Sequence, residues 1–108
     1  MKAEAALQDL VAELDHCIEQ LAQARERAEE LLAQRRSGRS WTEIVSGEAR
    51  PLVVERISTV LASLARAGSA WRREQALALQ GENVSINRIA AMFGVTRQRI
   101  STLLKEER

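Results

Sequence analysis

The stretch MFGVTRQRISTLLK, Met92–Lys105, decides how this chain is read. It sets Gly94 inside an otherwise helical pattern and then restarts with Thr96-Arg97-Gln98-Arg99. Ahead of it, Ser85 is a residue type that caps helix N-termini, and helix-period apolar residues follow as far as Phe93. In a 20-residue window opening at Ile86, Ile89, Phe93, Val95, Ile100 and Leu103 hold positions 4, 8, 10, 15 and 18. Ala90 is at position 5 and Gly94 at position 9. This spacing predicts two short helices crossing steeply at close range. The small Ala90 sits where they touch, and Gly94 supplies the positive φ of a tight turn. Val95 is expected to fill the gap beneath the turn, with Ile100 and Leu103 anchoring the second helix on the core. A preceding helix over residues 69–80 is expected to complete a three-helix unit through Trp71 and Leu79.

That pattern resembles the helix-turn-helix DNA-binding motif over about twenty residues. The wider stretch LARAGSAWRREQALALQGENVSINRIAAMFGVTRQRISTLL (64–104) looks like small actinobacterial helix-turn-helix proteins, and RSWTEIVSGEARPL (39–52) is similar to a segment that accompanies them. The resemblance covers roughly the last two thirds of the chain and implies a regulator or chromosome-binding protein without enzyme activity. It makes the second helix, residues 96–106, the recognition helix, exposing Thr96, Arg97, Gln98, Ser101, Thr102 and Lys105. Arg97 and Gln98 are the residue types that read guanine and adenine edges bidentately. Thr96 lies where a helix N-terminus can receive a phosphate, and Thr102 can meet a thymine methyl or a backbone oxygen. Arg99 is expected to reach phosphate, with Arg88, Arg72 and Arg73 clamping the flanking backbone. SWTEIV (40–45) also resembles the first helix of a second such motif. It lacks the glycine turn, and Pro51 falls where a recognition helix would begin, so Trp41 is expected to pack this short helix onto the core.

Charge agrees with that division of labour. The net charge of the whole chain is +1. Residues 1–34 hold three basic against eight acidic residues, whereas residues 69–105 hold six basic against two acidic. A basic back half attracts polyanions and an acidic front repels them. The 14 arginines against 2 lysines carry no functional message, because a GC-rich coding sequence produces the same bias. Cys17 and His16 are the only cysteine and histidine. One cysteine excludes a disulfide framework and a thiolate metal cluster, and helix neighbours point to different sides, so no catalytic pair or metal site is expected. No cofactor is expected either. No apolar run approaches the ~20 residues that cross a bilayer. Glu4 and Asp9 interrupt any signal-peptide pattern, which makes a cytoplasmic, nucleoid location the expectation.

With 45% apolar residues but only three aromatics, Trp41, Trp71 and Phe93, the core must be aliphatic and the fold all-α. Three parts are expected. The first, 1–36, is a long helix of about 50 Å, in which Leu7, Leu14, Leu21 and Ala28 alternate with Val11, Ile18, Arg25 and Leu32 as the two rows of a heptad seam. The dimerisation residues are then Leu7, Val11, Leu14, Ile18, Leu21, Ala28 and Leu32. A third row, Leu10, Cys17, Ala24 and Leu31, widens the apolar face and admits an alternative, a monomeric hairpin with the later helices. The second part, 37–51, is a basic turn, a short helix begun by Ser40 and Glu43 as a capping box, and a loop. The third, 52–108, is a helical DNA-binding domain with the helix-turn-helix at 85–105. Within it, a helix over 52–67 is expected to stop at Gly68, and the next to end near Gly81. The expected partners are double-stranded DNA and a second copy of the chain, with no membrane. Two alternatives stand beside this: a nucleoid-associated protein of low sequence specificity, and a coiled-coil adaptor for a sigma factor or another regulator.

Overall fold

A computed structural model describes residues 2–106. Five helices and no strand occur among them: α1 (Lys2–Arg36), α2 (Trp41–Gly47), α3 (Val53–Gly81), α4 (Ile86–Phe93) and α5 (Arg97–Lys105). The long N-terminal helix and the all-helical class are therefore as the composition requires. Residues 107 and 108, the end of the expected third part, lie outside the described residues. The chain divides into two compact units, Ala12–Ala65 and Met1–Val11 with Arg66–Arg108. The division falls inside α1 and α3.

In the unit Ala12–Ala65, α1 and α3 run antiparallel. Ser63 donates its hydroxyl to Glu13 (2.6 Å), Cys17 Sγ lies 4.0 Å from the Val60 carbonyl, and Arg56 donates to Gln23 (3.1 Å). Partner numbers fall on one helix as they rise on the other. The row that α1 turns toward α3 is the third one: Cys17 and Ala24 are buried and Leu31 is half-buried. Leu14, Ile18, Leu21 and Leu32 of the expected seam stay exposed in this unit, as do Leu7 and Val11 in the other. The intrachain hairpin thus exists and is built on small residues. Burial, and then Glu13 as hydrogen-bond partner and nearby charge, push the Cys17 thiol above its ordinary range.

Gly38, at φ +100°, closes α1, with the Arg39 N–H reaching back to the Gln34 carbonyl (3.2 Å). Ser40 then caps α2: its hydroxyl accepts from the Glu43 N–H (3.1 Å) and donates to the Glu43 carboxylate (3.0 Å). Those bonds from Ser40, and the nearby Arg39, hold Glu43 below the usual carboxylate range. The buried residue of α2 is Ile44, not Trp41, which is 57% exposed with the Arg35 guanidinium 5.1 Å from its ring. Trp41 and Ile44 share a side of α2 three residues apart, and Ile44, further along the helix from its exposed start, is the one buried. Two glutamates start α3. Glu48 accepts from the Val53 N–H and Glu55 from the Leu52 N–H, both at 2.8 Å, and Pro51 stands two residues ahead of the helix.

The expected break at Gly68 does not occur; α3 runs through it for 29 residues. A mid-helix glycine costs only about 1 kcal/mol, and no residue near it takes a left-handed conformation. The flanking Ala, Leu, Arg and Glu residues favour helix strongly enough to carry the chain across. α3 ends at Gly81, as expected, and Asn83, at φ +66°, takes the left-handed place that follows. Asparagine tolerates this region, and the Val84 N–H closes the end on the Leu79 carbonyl (3.1 Å).

The core of the other unit is Ala76, Ile89, Ala90, Ile100 and Leu103, with Leu79, Val84, Ile86, Phe93 and Leu104 packed around it. Ile89 and Ile100 are fully buried. Leu79 contributes as expected. Trp71 is half-buried and outside this cluster, and Ala76 holds the central place on α3 because close approach of α4 and α5 leaves room only for a methyl. Val95 is 40% exposed and does not fill the space beneath the turn, whose residues close on one another through backbone bonds.

Candidate nucleic-acid interface

Each end of the α4–α5 pair is set by a recognisable local device. Ser85 accepts from the Arg88 N–H (3.2 Å) and starts α4. Gly94, at φ +69° and ψ +31°, ends it, donating its N–H to the Ala90 and Ala91 carbonyls. The Val95 N–H also returns to the Ala90 carbonyl at 3.0 Å. Thr96 is extended and accepts from the Arg99 N–H (3.1 Å), starting α5. A side chain at Gly94 would meet no atom within 4 Å, so glycine is required there by its backbone angle and not by lack of space.

Burial of Ile100 and Leu103 fixes the rotation of α5. At 100° per residue, Gln98 and Lys105 then lie opposite the core, with Thr102 and the half-buried Ser101 beside them. Arg97 and Arg99 leave on the two flanks, both exposed. Thr96 is exposed at the N-cap. Of the six residues expected on the recognition face, Gln98, Ser101, Thr102 and Lys105 thus lie on the part of α5 turned away from the core, Arg97 on one flank and Thr96 at the N-cap, with Arg99 on the other flank. Between Ile86 and Lys105 there is no acidic residue, against four basic ones, Arg88, Arg97, Arg99 and Lys105. None of the four makes an ion pair among the described residues. Their charge is available to an outside anion.

The two arginines at the α3 end of this unit differ. Arg72 is exposed, with its guanidinium 4.4 Å from the centre of the Phe93 ring. That stacking steadies the exposed side chain without using its hydrogen-bond donors. Arg73 is engaged inside the unit: Nε donates to the Glu106 carbonyl (2.7 Å) and Nη1 to the buried Glu74 (3.0 Å). It ties the end of α5 to α3, and so we leave it out of the interface. Sequence spacing could not separate adjacent arginines. The one signal that separates them is Glu74, the acid next to Arg73 in the chain, which the structure buries as its partner.

Among the described residues, no group of three or more His, Cys, Asp and Glu is placed to hold a metal, and no helix is long and apolar enough to cross a membrane. No protein-family model, curated protein or solved structure matches the chain.

Proposed function

We propose that this chain is a DNA-binding transcriptional regulator of the helix-turn-helix kind, acting as a dimer in the cytoplasm on the nucleoid, with α5 docked in the major groove. The observation that supports it best is the outward face of α5: Gln98, Thr102 and Lys105 at its centre, Arg97 and Arg99 on its flanks, and no acid within the helix itself. Gln98 and Arg97 read base edges; Lys105, Arg99, Arg88 and Arg72 hold phosphates; Thr96 receives a phosphate at the helix N-terminus. A single short helix makes few base contacts, so two copies on half-sites about 34 Å apart, or a multiple, raise both affinity and discrimination.

The test is selection from random duplex DNA at ~150 mM salt, which suppresses purely electrostatic binding. A two-fold motif is the expected outcome. Enrichment by base composition alone replaces the regulator with a nucleoid-associated protein of low specificity, and absence of binding removes the reading. The exposed apolar row of α1 favours a second reading, an adaptor that engages a sigma factor or another regulator through that helix; a stoichiometric complex without DNA binding is its signature.

A further inference from the structure

We infer that the α1–α3 hairpin of the unit Ala12–Ala65 pairs face to face with the hairpin of a second copy, forming a four-helix bundle in which α3 contributes as much as α1. The inference rests on the dimeric part of the reading above and is independent of its DNA-binding part.

The unit is packed inside out. Among its described residues the buried ones are Cys17, Ala24, Ile44 and Val60. Six large apolar side chains, Leu14, Ile18, Leu21, Val54, Ile57 and Leu61, are instead 37–71% exposed. They are not scattered. On α1 they follow one residue after the positions turned to α3, as Leu14 follows Glu13 and Ile18 follows Cys17. On α3, Ile57 follows Arg56 and Leu61 follows Val60, again one residue after the positions turned to α1. In an antiparallel pair of right-handed helices, one step along the chain turns both side chains toward the same side of the pair. Both stripes therefore form one continuous face, with spacings of three and four residues on each helix.

The size of this face points to a protein surface of matching form. Its exposed apolar area is on the order of 500 Å² per copy, at the upper end of what monomers leave in water and, with its rim, near the ~800 Å² per partner of a stable dimer. The rim chooses among occupants. Its outer positions are Asp15, Ala22 and Glu29 on α1 and Ser58 and Ala65 on α3. The basic residue in register with the α1 stripe, Arg25 four residues after Leu21, is paired with Glu29 at 3.3 Å, so the face offers little positive charge to anionic lipid or nucleic acid. Alanine and serine at the rim allow helices to approach closely. A second copy supplies the same two-helix face, with apolar rows in the same register, and closes an isologous interface.

The test measures the mass of the full chain in solution without DNA, by sedimentation or light scattering over a range of concentrations. The expected result is a dimer for the unaltered chain. Leu61→Asp on α3 should raise the dimer dissociation constant more than ~100-fold, as should Ile18→Asp on α1, because each places an unpaired charge in the buried seam. His16→Glu, on the opposite side of α1, should leave the dimer intact. Circular dichroism checks that each variant remains helical. Should the aspartates unfold the chain, the double change Ile57→Ala with Leu61→Ala keeps helix propensity and should still weaken the dimer at least ~10-fold. A folded monomer for the unaltered chain overturns the inference. So does a dimer that survives the α3 substitutions but not Ile18→Asp, since α1 would then pair alone. A chain that passes this test and binds no DNA keeps the inference and loses the regulator.

Discussion

The two units of this protein treat similar apolar content in opposite ways. Around α4 and α5, the large aliphatic side chains Ile89, Ile100 and Leu103 are buried together, and the polar residues of α5 face out. In the α1–α3 hairpin, small and polar residues meet inside while leucines, isoleucines and valines face out. The first arrangement makes a self-sufficient core that holds a rigid charged helix. The second leaves much of its hydrophobic stabilisation to be gained on association. The lesson is that apolar periodicity marks which face is buried in the finished assembly, and only burial within the chain tells whether one copy completes it.

The largest effect that would break this contrast is at the α4–α5 core. Ile100→Ala should cost about 2–5 kcal/mol of stability through lost contacts and a residual cavity, read by urea unfolding. An effect below 1 kcal/mol would mean the core is not self-sufficient. Next is the outer face of α5. Gln98→Ala or Arg97→Ala should weaken specific DNA binding by about 1–3 kcal/mol and relax the preference at one base pair. Arg73→Ala should leave that preference unchanged and lower stability. Equal losses on every sequence would count against base readout. At the turn, Gly94→Ala should cost about 1–2 kcal/mol from left-handed backbone strain alone, because the added methyl meets no neighbour. A neutral result by thermal unfolding would show that the turn relaxes to another conformation. In the hairpin unit the smallest effect is a pH dependence at α2. The folded carboxyl of Glu43 sits below its ordinary value, chiefly through the hydrogen bond from Ser40. Its stabilising contribution is therefore complete above the ordinary carboxylate pKa and is lost as pH falls through the lowered folded value. Ser40→Ala should flatten that part of the stability-against-pH curve; an unchanged slope would assign it to other acids.

The sequence was most informative where local chemistry and burial agree. The Ser85 and Thr96 caps, the Gly94 turn and the inward pair Ile100 and Leu103 follow from short-range rules, and with them the rotation of α5 and its candidate face. Elsewhere tertiary contacts decided. Gly68 looks like a stop, but helix formers on both sides outweigh one glycine. The helix end near Gly81 was visible, but not that Asn83, two residues on, takes the left-handed place. On α1 the heptad leucines were visible, yet the weaker row Cys17–Ala24 meets α3, because small side chains let two helices approach. Trp41 and Ile44 could each have anchored α2, and Arg72 and Arg73 each have met phosphate. Such choices turn on neighbours distant in sequence, which spacing alone does not encode.

The placement of the tryptophans gives the molecule built-in optics. The chain has two tryptophans and no tyrosine, and one indole falls in each unit: Trp41 largely in water beside Arg35, and Trp71 half-shielded. Their emission should differ in wavelength and in quenching by iodide, with Trp41 the redder and more readily quenched. Replacing either with phenylalanine isolates the other, so the melting of the hairpin and of the α4–α5 unit can be followed as separate fluorescence signals in the same chain without any attached dye.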